Sequence, residues 1–376
     1  MDSARIHALT MPKWGLAMTE GRIAAWLVEE GAEVGPGLEV VDIETDKITS
    51  GLEPSESGVL RRRIAEADET VPVGGLVAVI AAASVRDDEI DSFVADFRAR
   101  FVPAAVAEET AGSAPETIEA NGFTLRYLRL GGPSAVPAVL LHGFGGDLNN
   151  WLFNHEALAS TRAVYALDLP GHGGSSRIRE FQGLSDFVRA VDAFVEIKGL
   201  NRAHFVGHSL GGAIAIKLAG QYPERVASLT LIASAGLGKE IDGDYIEGFI
   251  TGSRRKDIKP VLDKLFADPS LVSRRLVDDV LKYKRLDGVA ENLRAVAGRF
   301  CPSGHQAELL RDLLASIPVR TMAIWGNEDR IIPAAHAEGL TAGVETHRIP
   351  AAGHMVQMEA ASNVNHLIES FWRRQD

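Results

Sequence analysis

The sequence predicts a multidomain chain: a small all-β unit folded as a flattened β-sandwich, then a larger α/β unit interrupted by a helical insertion. Three observations carry that prediction. Gly21, Ile23, Val34 and Gly37 recur at a constant offset of 37 as Gly58, Leu60, Val71 and Gly74, so two similar β-units pack as a pseudo-symmetric pair. Further on, the apolar His204-Phe205-Val206 enters Gly207-His208-Ser209-Leu210-Gly211 and leaves as the helix-prone Ala213-Ile214-Ala215-Ile216-Lys217-Leu218-Ala219, a strand, turn and helix in succession. Between the two, residues 81–116 become Ala-, Glu- and Pro-rich, the composition of an interdomain connection. A length of 376 residues, against roughly 150 per domain, accommodates two to three such units.

Within the first unit, Leu38-Glu39-Val40-Val41-Asp42-Ile43 is a β-prone run and Ile48-Thr49-Ser50-Gly51-Leu52-Glu53 alternates, so Thr45-Asp46-Lys47 falls at a hairpin reversal that presents Lys47 to solvent. Around it stand Met11-Pro12-Lys13-Trp14-Gly15, Met18-Thr19-Glu20-Gly21, Trp26, Gly31, Ser57-Gly58-Val59-Leu60 and Val71-Pro72-Val73-Gly74. This pattern resembles the lipoyl domain of the 2-oxo-acid and acetoin dehydrogenase complexes over about the first eighty residues. The resemblance implies a carrier domain over 1–82 with lipoate attached covalently at Lys47. Biotin carriers share the fold but have methionine on both sides of their lysine, whereas Asp46 and Ile48 flank Lys47, which favours lipoate.

Composition is that of an ordinary soluble protein, with 46% hydrophobic and 24% charged residues. The first residues hold no apolar signal segment and no run of eighteen apolar residues occurs, so the expectation is a cytoplasmic protein without membrane spans. A net charge of −12 argues against nucleic acid or an anionic membrane as partner. Residues 1–80 hold 14 acidic against 7 basic side chains, so the carrier is acidic and should prefer basic docking surfaces. The single cysteine, Cys301, excludes an intramolecular disulfide and stands in no reactive motif.

The connection, 83–116, contains Ile90, Phe93, Val94, Phe97 and Phe101 at helical spacing, an apolar stripe whose simplest use is packing against its own domain. Conventional lipoyl acyltransferases place a peripheral-subunit-binding domain here, and its basic, Gly-rich signature is missing. Residues 102–115 are expected to act as a mobile tether.

From Asn121 onward the pattern resembles an α/β-hydrolase, with the domain spanning 117–376. The strand Ala138-Val139-Leu140-Leu141 runs into His142-Gly143-Phe144-Gly145-Gly146, and Ala163-Val164-Tyr165-Ala166-Leu167-Asp168 runs into another glycine turn. Small residues at 207 and 211 allow the sharp turn that projects the Ser209 hydroxyl above the sheet edge. A serine needs a base to take its proton, and the later chain supplies candidates at strand ends: Asp329 after Met322-Ala323-Ile324-Trp325-Gly326, and His354 before the final helix. The order Ser209, Asp329, His354 is the α/β-hydrolase order. It implies Ser209 as nucleophile, His354 as base and Asp329 as the group fixing the imidazole, with the backbone N–H groups of Phe144 and Leu210 as the oxyanion hole. Glu328 competes for the acid role, and the family spacing Gly-x-x-Asp favours Asp329. His142 and His172 are expected to hydrogen-bond backbone, His208 to pack beside the site, and Asp168 to stabilise its own loop.

Residues 236–316 read as a helical cap with 14 basic and 13 acidic residues, Arg254, Arg255, Lys256 and Lys259 among them. That cluster is either a solvated face or a contact for coenzyme A phosphates or for the acidic carrier. The two-part architecture is similar to the dihydrolipoamide acetyltransferases of acetoin dehydrogenase complexes. Pyruvate-type acyltransferases differ, since their His-x-x-x-Asp-Gly signature is absent. The resemblance implies acetyl transfer from dihydrolipoyl-lysine to coenzyme A without a metal. It also implies thiamine-diphosphate-dependent dehydrogenase and dihydrolipoamide dehydrogenase subunits as partners, and a homo-oligomer. A serine ester or thioester hydrolase with a fused carrier, or a non-catalytic carrier and scaffold, are the competing readings.

Overall fold

The computed structural model describes residues 6–12, 14, 18–45, 49–54, 56–101, 114–178, 180–341 and 343–374. It divides into two compact units, the first built from residues 1–112 and the second from most of 113–376.

Eight short strands form the first unit: β1 (Ile6–Thr10), β2 (Glu20–Trp26), β3 (Glu33–Val34), β4 (Val41–Glu44), β5 (Thr49–Leu52), β6 (Gly58–Arg63), β7 (Thr70–Pro72) and β8 (Leu76–Ala81). They make two antiparallel sheets, ordered β1-β8-β6-β3 and β5-β4-β2-β7. The repeat explains the pair. A shift of 37 carries β2, β3 and β4 onto β6, β7 and β8, and each sheet combines strands of both copies.

The repeated residues are those the packing demands. Ile23 and Leu60 are fully buried, and a register shift falls at both, between Ile23 and Ala25 and between Leu60 and Arg62. Gly21 lies so close to Ile43 that an added Cβ would stand 2.8 Å from its Cγ2, and Gly58 meets Ile80, the repeat partner of Ile43, at 2.9 Å. Gly37 and Gly74 both have positive φ, 88° and 78°, where a side chain would be strained.

The predicted hairpin forms, with β4 and β5 paired from Val41 opposite Leu52 to Glu44 opposite Thr49. Its tip, Lys47 included, lies outside the described residues, as do residues 102–113 of the expected tether. The predicted helix is α1 (Asp87–Arg100), with Asp87, Asp88 and Glu89 favourably placed against the dipole of its first turn. Ile90 and Val94 are buried with Leu76, Val79, Ala81 and Val85, and Phe93 and Phe97 pack at the edge of that cluster. The apolar stripe is therefore covered by its own domain.

The second unit is an eight-stranded sheet ordered β16-β15-β14-β13-β11-β12-β10-β9. Its strands are β9 (Glu116–Ala120), β10 (Phe123–Leu130), β11 (Ala138–Leu141), β12 (Val164–Leu167), β13 (Ala203–His208), β14 (Val226–Ile232), β15 (Thr321–Gly326) and β16 (Val344–Ile349). β9 and β10 form an antiparallel hairpin whose turn, Asn121-Gly122, has positive φ at both residues. From β11 on, the strands are parallel. Those from β11 to β15 are buried along their whole length, as apolar runs covered on both faces must be.

The helices are α2 (His155–Leu158), α3 (Leu184–Ile197), α4 (Leu210–Gln221), α5 (Gly243–Thr251), α6 (Arg255–Leu262), α7 (Arg274–Lys284), α8 (Val289–Phe300), α9 (Arg311–Ser316), α10 (Val356–Glu359) and α11 (Ala361–Arg373). Those from α5 to α9 are inserted between β14 and β15, where the sequence predicts the cap. Among the described residues no helix is long and apolar enough to cross a membrane.

Candidate active site

Ser209 stands between β13 and α4 with φ 52° and ψ −116°, a conformation that costs a non-glycine residue of order 1–3 kcal/mol. Four backbone bonds hold it there: its N–H donates to Ile232 O at 2.9 Å, and its carbonyl accepts from Gly212 N at 2.9 Å, Ala235 N at 3.0 Å and Ala213 N at 3.4 Å. The flanking glycines are required by contact. A Cβ on Gly211 would lie 2.1 Å from Leu141 O, and one on Gly207 2.4 Å from Gly211 O. The result is a nucleophile elbow at the C-terminal edge of the parallel strands.

His354 and Asp329 meet as the sequence expects, with Nδ1 of the imidazole 2.9 Å from the Asp329 carboxylate, both side chains almost wholly buried. A carboxylate oxygen only accepts, so Nδ1 carries the proton and Nε2 of the neutral ring is left basic. The other Asp329 oxygen accepts from the N–H of Ile331 at 2.8 Å and of Ile332 at 3.0 Å, which fixes the carboxylate. Glu328 is exposed and makes no such contact with His354 among the described residues.

His208 joins the elbow to the histidine loop. Its Nε2 donates to the carbonyl of His354 at 3.0 Å, and the two rings lie 4.7 Å apart. Complete burial, reinforced by the neighbouring His354, pushes its pKa well below the ordinary histidine value, so it is a neutral spacer beside the site.

Leu210 opens α4, where its N–H has no acceptor within the helix. Phe144 follows Gly143, and an added Cβ on Gly143 would stand 3.1 Å from Ser209 Cβ. Gly143, the residue before Phe144, therefore borders the serine. Above Phe144 lies the cap residue Phe249, ring centroids 6.1 Å apart, against which Gly145 also closes.

The remaining polar residues hold loops. His142 donates from Nδ1 to Gly143 O at 2.8 Å and accepts from Leu169 N at Nε2 at 2.9 Å, and burial lowers its pKa to about 4. His172 donates to Pro170 O, and burial with the nearby His142 lowers it to about 3. Asp168 accepts from Leu148 N and Gly174 N, both at 2.7 Å, and its pKa rises to about 6 through burial and then Asp147. Cys301 is buried, its thiol pushed up to about 11.

Two features were missed in the sequence. Glu359 accepts from Gly353 N, just before His354, and from Ala267 N in the cap, each at 2.7 Å. Arg330, next to Asp329, donates to Phe266 O at 2.6 Å and Ala267 O at 3.1 Å. Cap residues 266–267 are thereby bonded to the loops that carry Asp329 and His354. A glutamate five residues after a histidine was the available signal, but its partners are remote in the chain.

Residues 137–361 match the family model of the alpha/beta hydrolase fold, and residues 7–80 match the biotin/lipoyl model described as biotin-requiring enzyme. A solved meta-cleavage product hydrolase from Pseudomonas fluorescens IP01 superposes with a TM-score of 0.64 at 24% identity, covering 69% of this chain and 98% of that one, a likeness of fold alone. The elbow, the buried His–Asp pair and the sheet order thus define an α/β-hydrolase-fold protein with an N-terminal carrier-type domain.

Over 372 residues the chain is 50% identical to the dihydrolipoyllysine-residue acetyltransferase component of the acetoin cleaving system of Pseudomonas putida, covering 99% of this chain and 100% of the relative. The corresponding component of Cupriavidus necator is 44% identical, covering 98% and 97%. The chain belongs to this family of acetyltransferase components.

Proposed function

We propose that this chain transfers an acetyl group from S-acetyl-dihydrolipoyl-Lys47 to coenzyme A within an acetoin-cleaving complex, using Ser209, His354 and Asp329. The observation that carries the reading is the 2.9 Å contact of His354 Nδ1 with Asp329 beside a strained Ser209 elbow, in a chain whose first eighty residues match a carrier. The domain division taken is 1–82 for the carrier, 83–116 for the connection and 117–376 for the hydrolase fold with its cap at about 236–316. The antiparallel pairing of β4 with β5, which flank Lys47 in the sequence, together with the match of residues 7–80 to a biotin/lipoyl model, supports lipoate at Lys47. When attached there, lipoate supplies a dithiol able to carry acetyl as a thioester.

His354 Nε2 takes the proton of whichever group attacks the thioester carbonyl. In one route that group is Ser209 Oγ, which displaces the dihydrolipoyl sulfur, and that sulfur leaves as the thiol with the proton from His354. The coenzyme A thiol, deprotonated by His354, then attacks the acetyl-serine, and Ser209 Oγ leaves with that proton. In the other route the coenzyme A thiol attacks the thioester directly, and the dihydrolipoyl thiol leaves with the proton His354 took. In both, Asp329 stabilises the imidazolium and the N–H groups of Phe144 and Leu210 receive the oxyanion, each donor contributing about 3 kcal/mol in comparable sites. Thioester exchange is nearly balanced in free energy, so the cap must keep water from competing with the thiol. Thiamine-diphosphate-dependent dehydrogenase and dihydrolipoamide dehydrogenase subunits as partners, with self-association, complete the proposal.

The test supplies acetyl-dihydrolipoamide with and without coenzyme A and compares acetyl-CoA formed with acetate released. Acetyl-CoA should dominate and vanish in Ser209→Ala if the acetyl-serine route holds. Acetate as the main product in both arms would refute transferase in favour of hydrolase. In parallel, intact mass should show one lipoyl addition that disappears in Lys47→Arg.

A further inference from the structure

The cap carries a groove of about 480 Å³ that the site above does not use, walled by Arg254, Arg255, Asp278, Leu281, Lys282 and Arg285. Its cations come from two places, the start of α6 and the last turn of α7. The basic run read from the sequence is thus only half involved: Lys259 pairs instead with Asp263 at 2.7 Å.

Asp278 organises the wall. It accepts a two-pronged bond from Arg255, at 2.6 and 2.5 Å, and it also faces Arg274 and Lys282, which hold its carboxyl below the ordinary range after the dominant Arg255 bond. Lys282 also lies 3.4 Å from Asp279, so two carboxylates stand among Arg255, Arg274 and Lys282, which still leaves a surplus of positive charge. Arg285 adds to it, with no ion pair to an acid among the described residues. Arg254 pairs with Asp257 at 2.9 Å but remains largely exposed at 68% of its side-chain surface, so its guanidinium stays open to a ligand.

The groove adjoins the acyl site through one short path. Lys284, one turn beyond Leu281, donates to Gly252 O and holds its ammonium 5.4 Å from the Phe249 ring centroid. Phe249 in turn covers Phe144, beside Ser209.

We propose that this groove binds the phosphate-bearing nucleotide end of coenzyme A, leaving the pantetheine arm to run past Phe249 toward Ser209. The inference rests on the transferase reading above and names where its acceptor is held. Coenzyme A carries a diphosphate and a 3′-phosphate at one end and a neutral arm at the other. Arginine forks match phosphate oxygens, and a concavity of several hundred Å³ is the size of a small-ligand site. An acidic protein surface would need a broader face than this groove offers.

The test uses the full chain and the variant Lys282→Ala/Arg285→Ala, with folding checked by circular dichroism. Adenosine 3′,5′-bisphosphate, titrated by calorimetry, should bind wild type, weaken with added salt, and lose about tenfold or more affinity in the variant, the effect of removing charge-assisted contacts. The ratio of kcat/KM for coenzyme A over pantetheine should fall by a similar factor. Intact acetyl-CoA formation with unchanged bisphosphate affinity in the variant would overturn the groove and leave the transferase standing. A raised KM for the acetylated carrier, with no change for coenzyme A, would show that the groove receives the carrier instead and also overturn it. No acetyl-CoA and no bisphosphate binding by wild type would overturn both readings.

Discussion

The carrier unit and the hydrolase unit are both sheets, yet they place their reactive groups by opposite means. The carrier spends its repeated residues on two thin sheets with no room between them: Ile23 and Leu60 are fully buried, and Gly21 and Gly58 are pressed against Ile43 and Ile80. What it offers is a pair of antiparallel strands, β4 and β5, joined by the segment that holds Lys47. The hydrolase unit instead draws Ser209 and His354 to 5% and 3% exposure and stores strain in the elbow. A delivered acyl group has to leave the carrier, whereas the acid–base chemistry gains from a dry site where oriented dipoles act at low dielectric.

The largest expected effect tests how far that buried site depends on one contact. Asp329→Asn would leave the shape but spoil the imidazole tautomer, and kcat for acetyl transfer should fall about 10³- to 10⁴-fold. Glu328→Gln, one residue earlier and exposed, should stay within about twofold. A reversed order in steady-state kinetics would return the acid role to Glu328.

A smaller effect separates the two kinds of glycine contact. Gly211→Ala would drive a Cβ to 2.1 Å from backbone at Leu141 O, whereas Gly58→Ala meets the Ile80 side chain at 2.9 Å. The first should cost about 3 kcal/mol or more, because backbone in a parallel sheet has nowhere to go. The second should cost about 1–2 kcal/mol once the lower entropy of the unfolded alanine chain is subtracted. Calorimetric melting of the full chain checks both, and equal shifts would mean that contact distance is not what selects these glycines.

Much of this was legible in the sequence because it depends on local or periodic patterns. The offset of 37 anticipated a two-copy sandwich, and the structure adds that each sheet borrows a strand from the other copy, β3 beside β6 and β7 beside β2. Strand, Gly-x-Ser-x-Gly and helix anticipated the elbow, and the α/β-hydrolase resemblance supplied the order Ser209, Asp329, His354. The cap was legible only as helical. Phe249 over Phe144, or Lys282 and Arg285 beside Arg255, are meetings of residues whose separation follows no period. The Arg254–Lys259 run shows the hazard: neighbours in sequence divide between a groove and an internal ion pair once α6 and α7 fold against each other.

The smallest effect concerns Glu359, whose carboxylate holds Gly353 and Ala267 together. Burial, then the charge of Asp329, outweighs its two N–H bonds and the nearby Arg330, so its pKa rises from 4.5 to about 7. A carboxyl raised on folding binds more protons in the native state than in the unfolded one. Its contribution to stability is therefore present below about pH 4.5 and is lost as pH climbs to about 7. Glu359→Gln removes that titration, at the cost of an acceptor for one of the two N–H groups. Between pH 5 and pH 7.5 the wild type should lose on the order of 1 kcal/mol more than the variant, a difference of roughly 2–4 °C in the melting shift for a unit of this size. Asp168 titrates in both proteins and cancels from the difference. Parallel melting curves across that range would show that Glu359 is charged throughout, and the junction between cap and His354 would then be a fixed clamp with no dependence on pH.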